Sequence, residues 1–316
     1  MLFRSYGFYS YEANDVQLVG NEYRNNIVYG IDPHDRSHKL LFSYNTVYGS
    51  HKKHGIIGSR NVEDSWVIGN LTFDNKGSGI MMDRYAGRNI IYANTAFDNH
   101  SNGISIYESP CNIISSNSMF KNGRSGITVR NSWDIGVFHN LVDDNGNLGV
   151  EGYSVEFITK PGAPARNLLL DPYERFLSLA ATSNRLKNNK QGAVGTTGTG
   201  AMLLQGNTLI GSSKRLFLND LKLAERDIGS RQANGVMVGG GCPKPKRPYS
   251  CPFVQQNYLS QELAAAPLAG RPFPSCPGRT IVNAATQQRT QAFPLEKMRE
   301  DDDEAVESAS PTGAKL

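Results

Sequence analysis

The sequence predicts an all-β solenoid, a parallel β-helix, and two registers of spacing predict it. The first is a column of asparagines, Asn21, Asn45, Asn70, Asn94, Asn117 and Asn140, each followed five residues later by Asn26, Ser50, Asn75, Asn99, Asn122 and Asn145. The second is a column of glycines, Gly7, Gly30, Gly55, Gly79, Gly103, Gly126 and Gly149, stepping by 23 to 25 residues. Each glycine precedes an apolar residue: Phe8, Ile31, Ile56, Ile80, Ile104, Ile127 and Val150. A period in the low twenties, with one short apolar strand per glycine, turn residues between strands and no helical periodicity, is the signature of stacked β-coils. The leucine ladder of a leucine-rich repeat is absent. Asparagines stacked at a turn hydrogen-bond up and down the coils, so both Asn columns read as structure.

Taken in order, the coils begin at Gly7 with no N-terminal cap before it, which suggests the C-terminal portion of a longer protein. They run to about residue 150, where the register blurs. Thr159-Lys160-Pro161-Gly162-Ala163-Pro164 reads as a loop or insertion. The register returns at Asn184 and Asn189, then at Asn207 and Ser212. Residues 1–220 are therefore expected to form the β-helix. Residues 221–295, with Gly239-Gly240-Gly241-Cys242-Pro243 and a Pro-rich stretch, are expected to be an irregular C-terminal region that shields an open sheet end. Residues 296–316 hold seven acidic and three basic side chains and read as a solvated, disordered tail.

That tail carries −4 of an overall +4, so the first 295 residues carry +8. A basic body favours a polyanionic partner. No stretch reaches the roughly 18 consecutive apolar residues of a membrane-spanning helix, so no membrane insertion is expected. Four cysteines are too few for a disulfide scaffold and lack zinc-site spacing. Cys242 and Cys251 share one loop, where a disulfide and two free thiols are both admissible.

Strand side chains alternate in direction. The residue after each glycine points inward, and those two and four places after it point outward. The fourth-place column reads Tyr11, His34, Ser59, Asp83, Tyr107, Arg130 and Tyr153, and the fifth reads Glu12, Asp35, Arg60, Arg84, Glu108, Asn131 and Ser154. With coils ~4.8 Å apart, these form one stripe of aromatic and charged groups. Tyr9, Tyr11, Tyr29 and Tyr107 offer flat surfaces for sugar rings, and Arg60, Arg84 and Arg130 offer forks for carboxylates. The stripe therefore suggests a groove for an extended acidic polysaccharide. Its densest part is Tyr29-Gly30-Ile31-Asp32-Pro33-His34-Asp35-Arg36. Asp32 and His34 share the outward face, so that Asp32 is placed to orient the imidazole. The next coil adds Lys53, His54 and Arg60.

Asp32-Pro33-His34-Asp35-Arg36 resembles the signature of the mannuronan C-5 epimerases, which act on alginate. Gly7-Phe8-Tyr9-Ser10-Tyr11-Glu12-Ala13, Asn26-Ile27-Val28-Tyr29-Gly30, Lys52-Lys53-His54-Gly55-Ile56-Ile57 and Ser59-Arg60 are also similar to segments of that family. The likeness covers about residues 6 to 150. It implies a right-handed parallel β-helix that converts β-D-mannuronate to α-L-guluronate within the polymer. It assigns His34 as base, Arg60 as the cation that neutralises the sugar carboxylate, and Tyr29 to proton transfer. Asp32 is then the residue that orients His34. Asp35, Lys53, His54, Arg84, Tyr107, Arg130 and Tyr11 are candidates for substrate subsites.

The chemistry fits those roles. The proton at C-5 lies beside a carboxylate, and the dianion left by its removal requires a fixed cation. Water and Tyr29 both remain candidates for returning the proton. A polyuronate lyase would use nearly the same residues, and a non-catalytic module would use the same groove to hold polymer. Glycoside hydrolysis would need two opposed carboxylates, for which Asp83 and Glu108 have no supporting motif. Nucleic acid is disfavoured, because Asp32, Asp35, Asp83 and Glu108 interrupt the basic residues. Proton transfer needs no cofactor, and no calcium-binding repeat predicts a metal. An alginate substrate implies an extracytoplasmic setting, the periplasm or cell wall.

Overall fold

The computed structural model describes residues 5–156, 167, 171, 173–198, 200–214, 216–218, 223–225 and 236–239. The coil period becomes three parallel sheets, each coil adding one strand to each of them. The first sheet has nine strands, starting Tyr6–Tyr11, Tyr29–His34, Ile56–Ser59, Ile80–Asp83 and Ile104–Tyr107 and continuing through Ile127–Arg130, Leu148–Tyr153 and Gly192–Thr197 to Leu216–Leu218. The second has ten strands and the third eight. The register is the one the glycine column predicts: Tyr11 pairs with His34, His34 with Ser59, Ser59 with Asp83, Asp83 with Tyr107, Tyr107 with Arg130 and Arg130 with Tyr153.

The residues after each glycine supply the interior. Ile31, Ile56, Ile80, Ile104 and Ile127 are all 0% exposed and form one continuous core with Met82, Ile106 and Val129 two places on. The glycines are required by close approach. A Cβ on Gly55 would lie 2.7 Å from the Gly79 carbonyl oxygen and 2.8 Å from Asn75 Nδ2, and one on Gly103 would lie 2.7 Å from the Gly126 oxygen. No side chain fits between coils there.

Both Asn columns form ladders. Asn70 Nδ2 donates to Asn94 Oδ1, Asn94 to Asn117 and Asn117 to Asn140, each at 3.0 Å. Asn99 donates likewise to Asn122 at 3.0 Å and Asn122 to Asn145 at 2.9 Å. The second ladder ends on Ser213 Oγ, 2.9 Å from Asn189 Nδ2, rather than on Ser212, whose hydroxyl turns to the Asn189 carbonyl. A third ladder, from Ser65 through Asn89 to Asn112, was hidden from the period because serine opens it.

The blurred register is an extra loop. Asn140 meets Asn184 and Asn145 meets Asn189, each 44 residues on, where the rungs of both ladders are elsewhere 23 to 25 apart, so the chain between Leu148–Tyr153 and Leu177–Thr182 carries an insertion. Leu177–Thr182 then rejoins the second sheet beside Ile135–Phe138. Within the stretch expected to be irregular, Leu223–Glu225 and Val236–Gly239 pair antiparallel and extend the second sheet from Gly200–Gln205. Cys242, Cys251 and the acidic tail lie outside the described residues. No helix among the described residues is long and apolar enough to cross a membrane.

Candidate active site

The outward face of the first sheet carries the site, and a repeated turn sets it up. Every fifth-place residue from Glu12 to Asn131 has positive φ: 49° at Glu12, 36° at Asp35, 55° at Arg60 and Arg84, 53° at Glu108 and 46° at Asn131. A left-handed conformation at a residue other than glycine costs about 1–2 kcal/mol. Here a backbone ladder holds it: the amides of Asp35, Arg60, Arg84 and Glu108 donate to the carbonyls of Ser59, Asp83, Tyr107 and Arg130 at 2.8–3.1 Å. The chain turns out of the sheet at the same place in each coil, and charged side chains leave it there.

His34 ends its strand with its side chain 15% exposed. Its Nδ1 lies 2.5 Å from Asp35 Oδ2. Among the described residues Nε2 has no hydrogen-bond partner, so an imidazole that donates from Nδ1 keeps its lone pair on Nε2 for proton abstraction. The Tyr9 ring lies 6.1 Å away, centroid to centroid. Asp35 therefore fills the orienting position expected of Asp32. The reason is local: the left-handed turn at Asp35 folds its carboxylate back beside the ring, whereas Asp32 lies two residues along an extended strand.

Asp32 is 1% exposed, with Oδ1 lacking any partner. Burial pushes its pKa well above the usual carboxylate range, and the Asp35 charge adds to this while a hydrogen bond with Ser59 opposes it. The strand is interrupted beside it. Tyr29–His34 pairs with Ile56–Ser59 only at Ile31↔Ile56 and His34↔Ser59, because Pro33 has no N–H to donate.

Tyr29 stacks on His54, centroids 5.9 Å apart and planes 8° from parallel, and packs against Tyr6 at 5.8 Å. Burial, then the Asp32 and Asp83 carboxylates, push its hydroxyl well up, so the group stays protonated and is suited to donating. His54 Nδ1 accepts the Ser78 backbone N–H at 2.9 Å, which leaves the ring proton on Nε2 when the ring is neutral. Lys53 precedes it on the same corner of the coil.

Arg60 lies one coil from His34. Its Nη2 donates to Asp171 Oδ2 at 3.0 Å, and its Nε stands 2.9 Å from Asp171 Oδ1 with the N–H not aimed at it. Arg84 Nη1 is 3.7 Å from the same Asp171 carboxylate, and Arg84 Nε is 3.3 Å from Asp83. Asp171 belongs to the insertion, 111 residues from Arg60. No motif marks it, and the register is lost where it stands, so the sequence could not place it.

The predicted stripe is continuous in register but not in exposure. Tyr11 is 54% exposed, whereas Tyr107 is 4% and Arg130 is 7% exposed. Arg130 lies 4.0 Å over the Tyr107 ring and 3.5 Å from Glu108. Tyr107 joins Ile57 and Met81 in a small apolar cluster that Tyr29 packs against, and Phe176 from the end of the insertion packs with Tyr85 and Trp133. The expected subsites Tyr107 and Arg130 are thus buried, whereas Tyr9 and Tyr11 are about half exposed and His34 and Asp35 partly exposed. Tyr11 also accepts a hydrogen bond from Arg36, which pairs with Glu12.

His38, Glu63 and Asp64 form the one grouping of metal-ligand type among the described residues. Arg88 already holds both carboxylates, donating from Nε to Asp64 at 2.7 Å and from Nη2 to Glu63 at 2.5 Å, so the grouping is an ion-pair cluster.

Comparisons with known proteins agree with this geometry. Residues 6–159 match the family model described as a right-handed β-helix region. The mannuronan C5-epimerase of Pseudomonas putida is 46% identical over 187 residues, covering 59% of this chain and 35% of that protein. The mannuronan C5-epimerase AlgG of Azotobacter vinelandii is 47% identical over 184 residues, covering 58% and 34%. The crystal structure of the periplasmic alginate epimerase AlgG matches with a TM-score of 0.58 at 40% identity, covering 65% of this chain and 48% of that one. The chain spans about a third of the length of these curated relatives.

Proposed function

We propose that this chain, whose β-helix is homologous to the mannuronan C5-epimerases, epimerises β-D-mannuronate to α-L-guluronate within polymannuronate. The observation that carries the reading is one juxtaposition. A histidine tied at Nδ1 to a carboxylate stands one coil from an arginine whose guanidinium grips a carboxylate.

The steps follow from those groups. A uronate residue lies in the groove over Tyr9 and His34 with its carboxylate toward Arg60. His34 Nε2 takes the C-5 proton, and Asp35 stabilises the imidazolium that forms. The C-5 electron pair moves into the carboxylate, and the second negative charge is held by Arg60. Such a fixed donor contributes about 3–4 kcal/mol to the transition state. A proton then returns to C-5 from the opposite face, supplied by the Tyr29 hydroxyl or by water, and the centre is inverted. Burial makes a negative charge on Asp32 costly and raises the pKa of its carboxyl.

The partner is an acidic polysaccharide. The setting is extracytoplasmic, consistent with Cys111 being disulfide-bonded. The test is proton NMR of polymannuronate incubated with the protein in heavy water. Growing guluronate signals with deuterium at C-5 are expected. Unsaturated chain ends would instead assign a lyase, and an unchanging spectrum would leave a binding scaffold.

A further inference from the structure

The Arg60 guanidinium, which the proposed mechanism assigns to the substrate carboxylate, is already occupied. Arg60 and Arg84 leave successive coils at the same left-handed turn position and both reach Asp171. Arg60 donates from Nη2 to one Asp171 oxygen at 3.0 Å and holds Nε 2.9 Å from the other, with the Nε–H not aimed at it, so one carboxylate occupies the guanidinium. A uronate carboxylate is the same chemical group and cannot share that position. Charge leads to the same conclusion. Arg60 and Arg84 face Asp83 and Asp171, and the Glu108 charge also acts on Arg84, so the two arginines already stand among carboxylates. A further carboxylate would add negative charge where Arg84, Asp83 and Asp171 have side chains only 9–11% exposed. Arg60 is the most open of the four at 25%.

We propose that Asp171 is an internal stand-in for the substrate: its carboxylate fills the uronate position at Arg60 and Arg84 in the free protein, and the polymer's carboxylate displaces it. The inference rests on the epimerase reading for the identity of the polymer. Asp171 then sets specificity, because only a ligand bringing its own carboxylate restores the charge that its departure removes. A neutral glycan would not replace the negative charge that Arg60 loses. The competing role for Asp171 is a fixed clamp that holds Arg60 in its working pose.

Binding and turnover of polymannuronate by Asp171→Asn and by the wild type separate the two. Loss of the competing anion is expected to tighten binding by roughly two- to five-fold, the scale of a partly exposed ion pair, with kcat not reduced. Weaker binding, or a lower kcat with a higher KM, would assign the clamp and overturn the proposal. Tighter binding with no epimerisation by either protein would retain this inference and sink the epimerase reading. Epimerisation without tighter binding would do the reverse, and no binding by either protein would overturn both. Should the variant not fold, the wild type still decides. The Asp171 amide, which donates to the Asn167 carbonyl at 2.8 Å, is expected to exchange faster when the protein is saturated with polymannuronate. Unchanged or slower exchange would overturn the displacement.

Discussion

Replacing Asn117 with alanine measures what the asparagine ladders contribute. Asn117 is 0% exposed and makes four side-chain hydrogen bonds. Its Oδ1 accepts from Asn94 N at 2.8 Å and Asn94 Nδ2 at 3.0 Å, and its Nδ2 donates to the Ile91 carbonyl at 2.9 Å and Asn140 Oδ1 at 3.0 Å. After truncation Asn94 Nδ2 still has the Val67 carbonyl and Asn140 Oδ1 still has the Asn117 amide. The Asn94 backbone N–H is left buried and unmatched. One orphaned buried group costs about 1–3 kcal/mol and each of the three remaining lost bonds about 0.5–1.5 kcal/mol, for a total of about 2.5–7.5 kcal/mol. At about 2–4 °C per kcal/mol for a β-helix of this size, the melting temperature should fall by roughly 5–30 °C. Asn21 is the control. It opens the same ladder but is exposed, and its Nδ2 bonds to Asn45 and Val19 can be replaced by water. Asn21→Ala should therefore cost only about 1 kcal/mol. Calorimetric melting of both variants provides the comparison. Equal shifts would refute the view that desolvated rungs, rather than packing alone, hold the coils in register.

The remaining expectations concern the site and its pH response. His34→Gln should lower epimerisation by at least roughly 100-fold while polymer retention stays within about two-fold, and a variant with near-normal turnover would remove His34 as base. Arg60→Ala should lower kcat by about 100- to 1000-fold. Arg60→Lys, which keeps the charge but loses the fork, should fall between Arg60→Ala and the wild type, and equal rates for Lys and Arg would argue against bidentate recognition. Burial pushes the Asp134 carboxyl up to about 6, against an opposing hydrogen bond from Ser178. A carboxyl raised on folding favours the fold below its unfolded pKa of about 4 and loses that contribution as pH rises through about 6. Asp134→Asn should therefore gain in melting temperature relative to the wild type between pH 4 and pH 7, and a pH-independent difference would contradict the burial argument.

The repeat was legible because its determinants are local and periodic. A glycine is demanded wherever a Cβ would strike the carbonyl of the next coil, as at Gly55, and an asparagine wherever a turn must bond both to its neighbour and across the stack, as at Asn94. Register followed directly, and with it the column that holds His34. What the sequence could not supply is which groups meet once a side chain leaves the sheet. Alternation put Asp32 and His34 on one face, but the left-handed turn gave the imidazole to Asp35 and buried Asp32. Tyr107 and Arg130 looked open because alternation gives a direction and not a covering. The insertion that brings Asp171 to the arginines has no period at all.

The turn column also explains how one scaffold can hold a reactive group without rebuilding its backbone. Inside the coil, a residue is constrained from both sides: Ile80 by the core and Asn94 by two rungs. At the fifth position the amide-to-carbonyl ladder holds φ near 50° at six turns with differing side chains. Glu12, Asp35, Arg60, Arg84, Glu108 and Asn131 share that backbone and differ completely in chemistry. The sheet spacing then sets the distance between neighbouring charges at about one coil, ~4.8 Å, which is the reach over which a base and a carboxylate-binding cation must cooperate on one sugar ring. The conformational cost of each left-handed residue is met by the stack as a whole. Changing an exposed turn side chain such as Glu12, 47% exposed, should therefore have little effect on stability, the opposite of the response expected at Asn117.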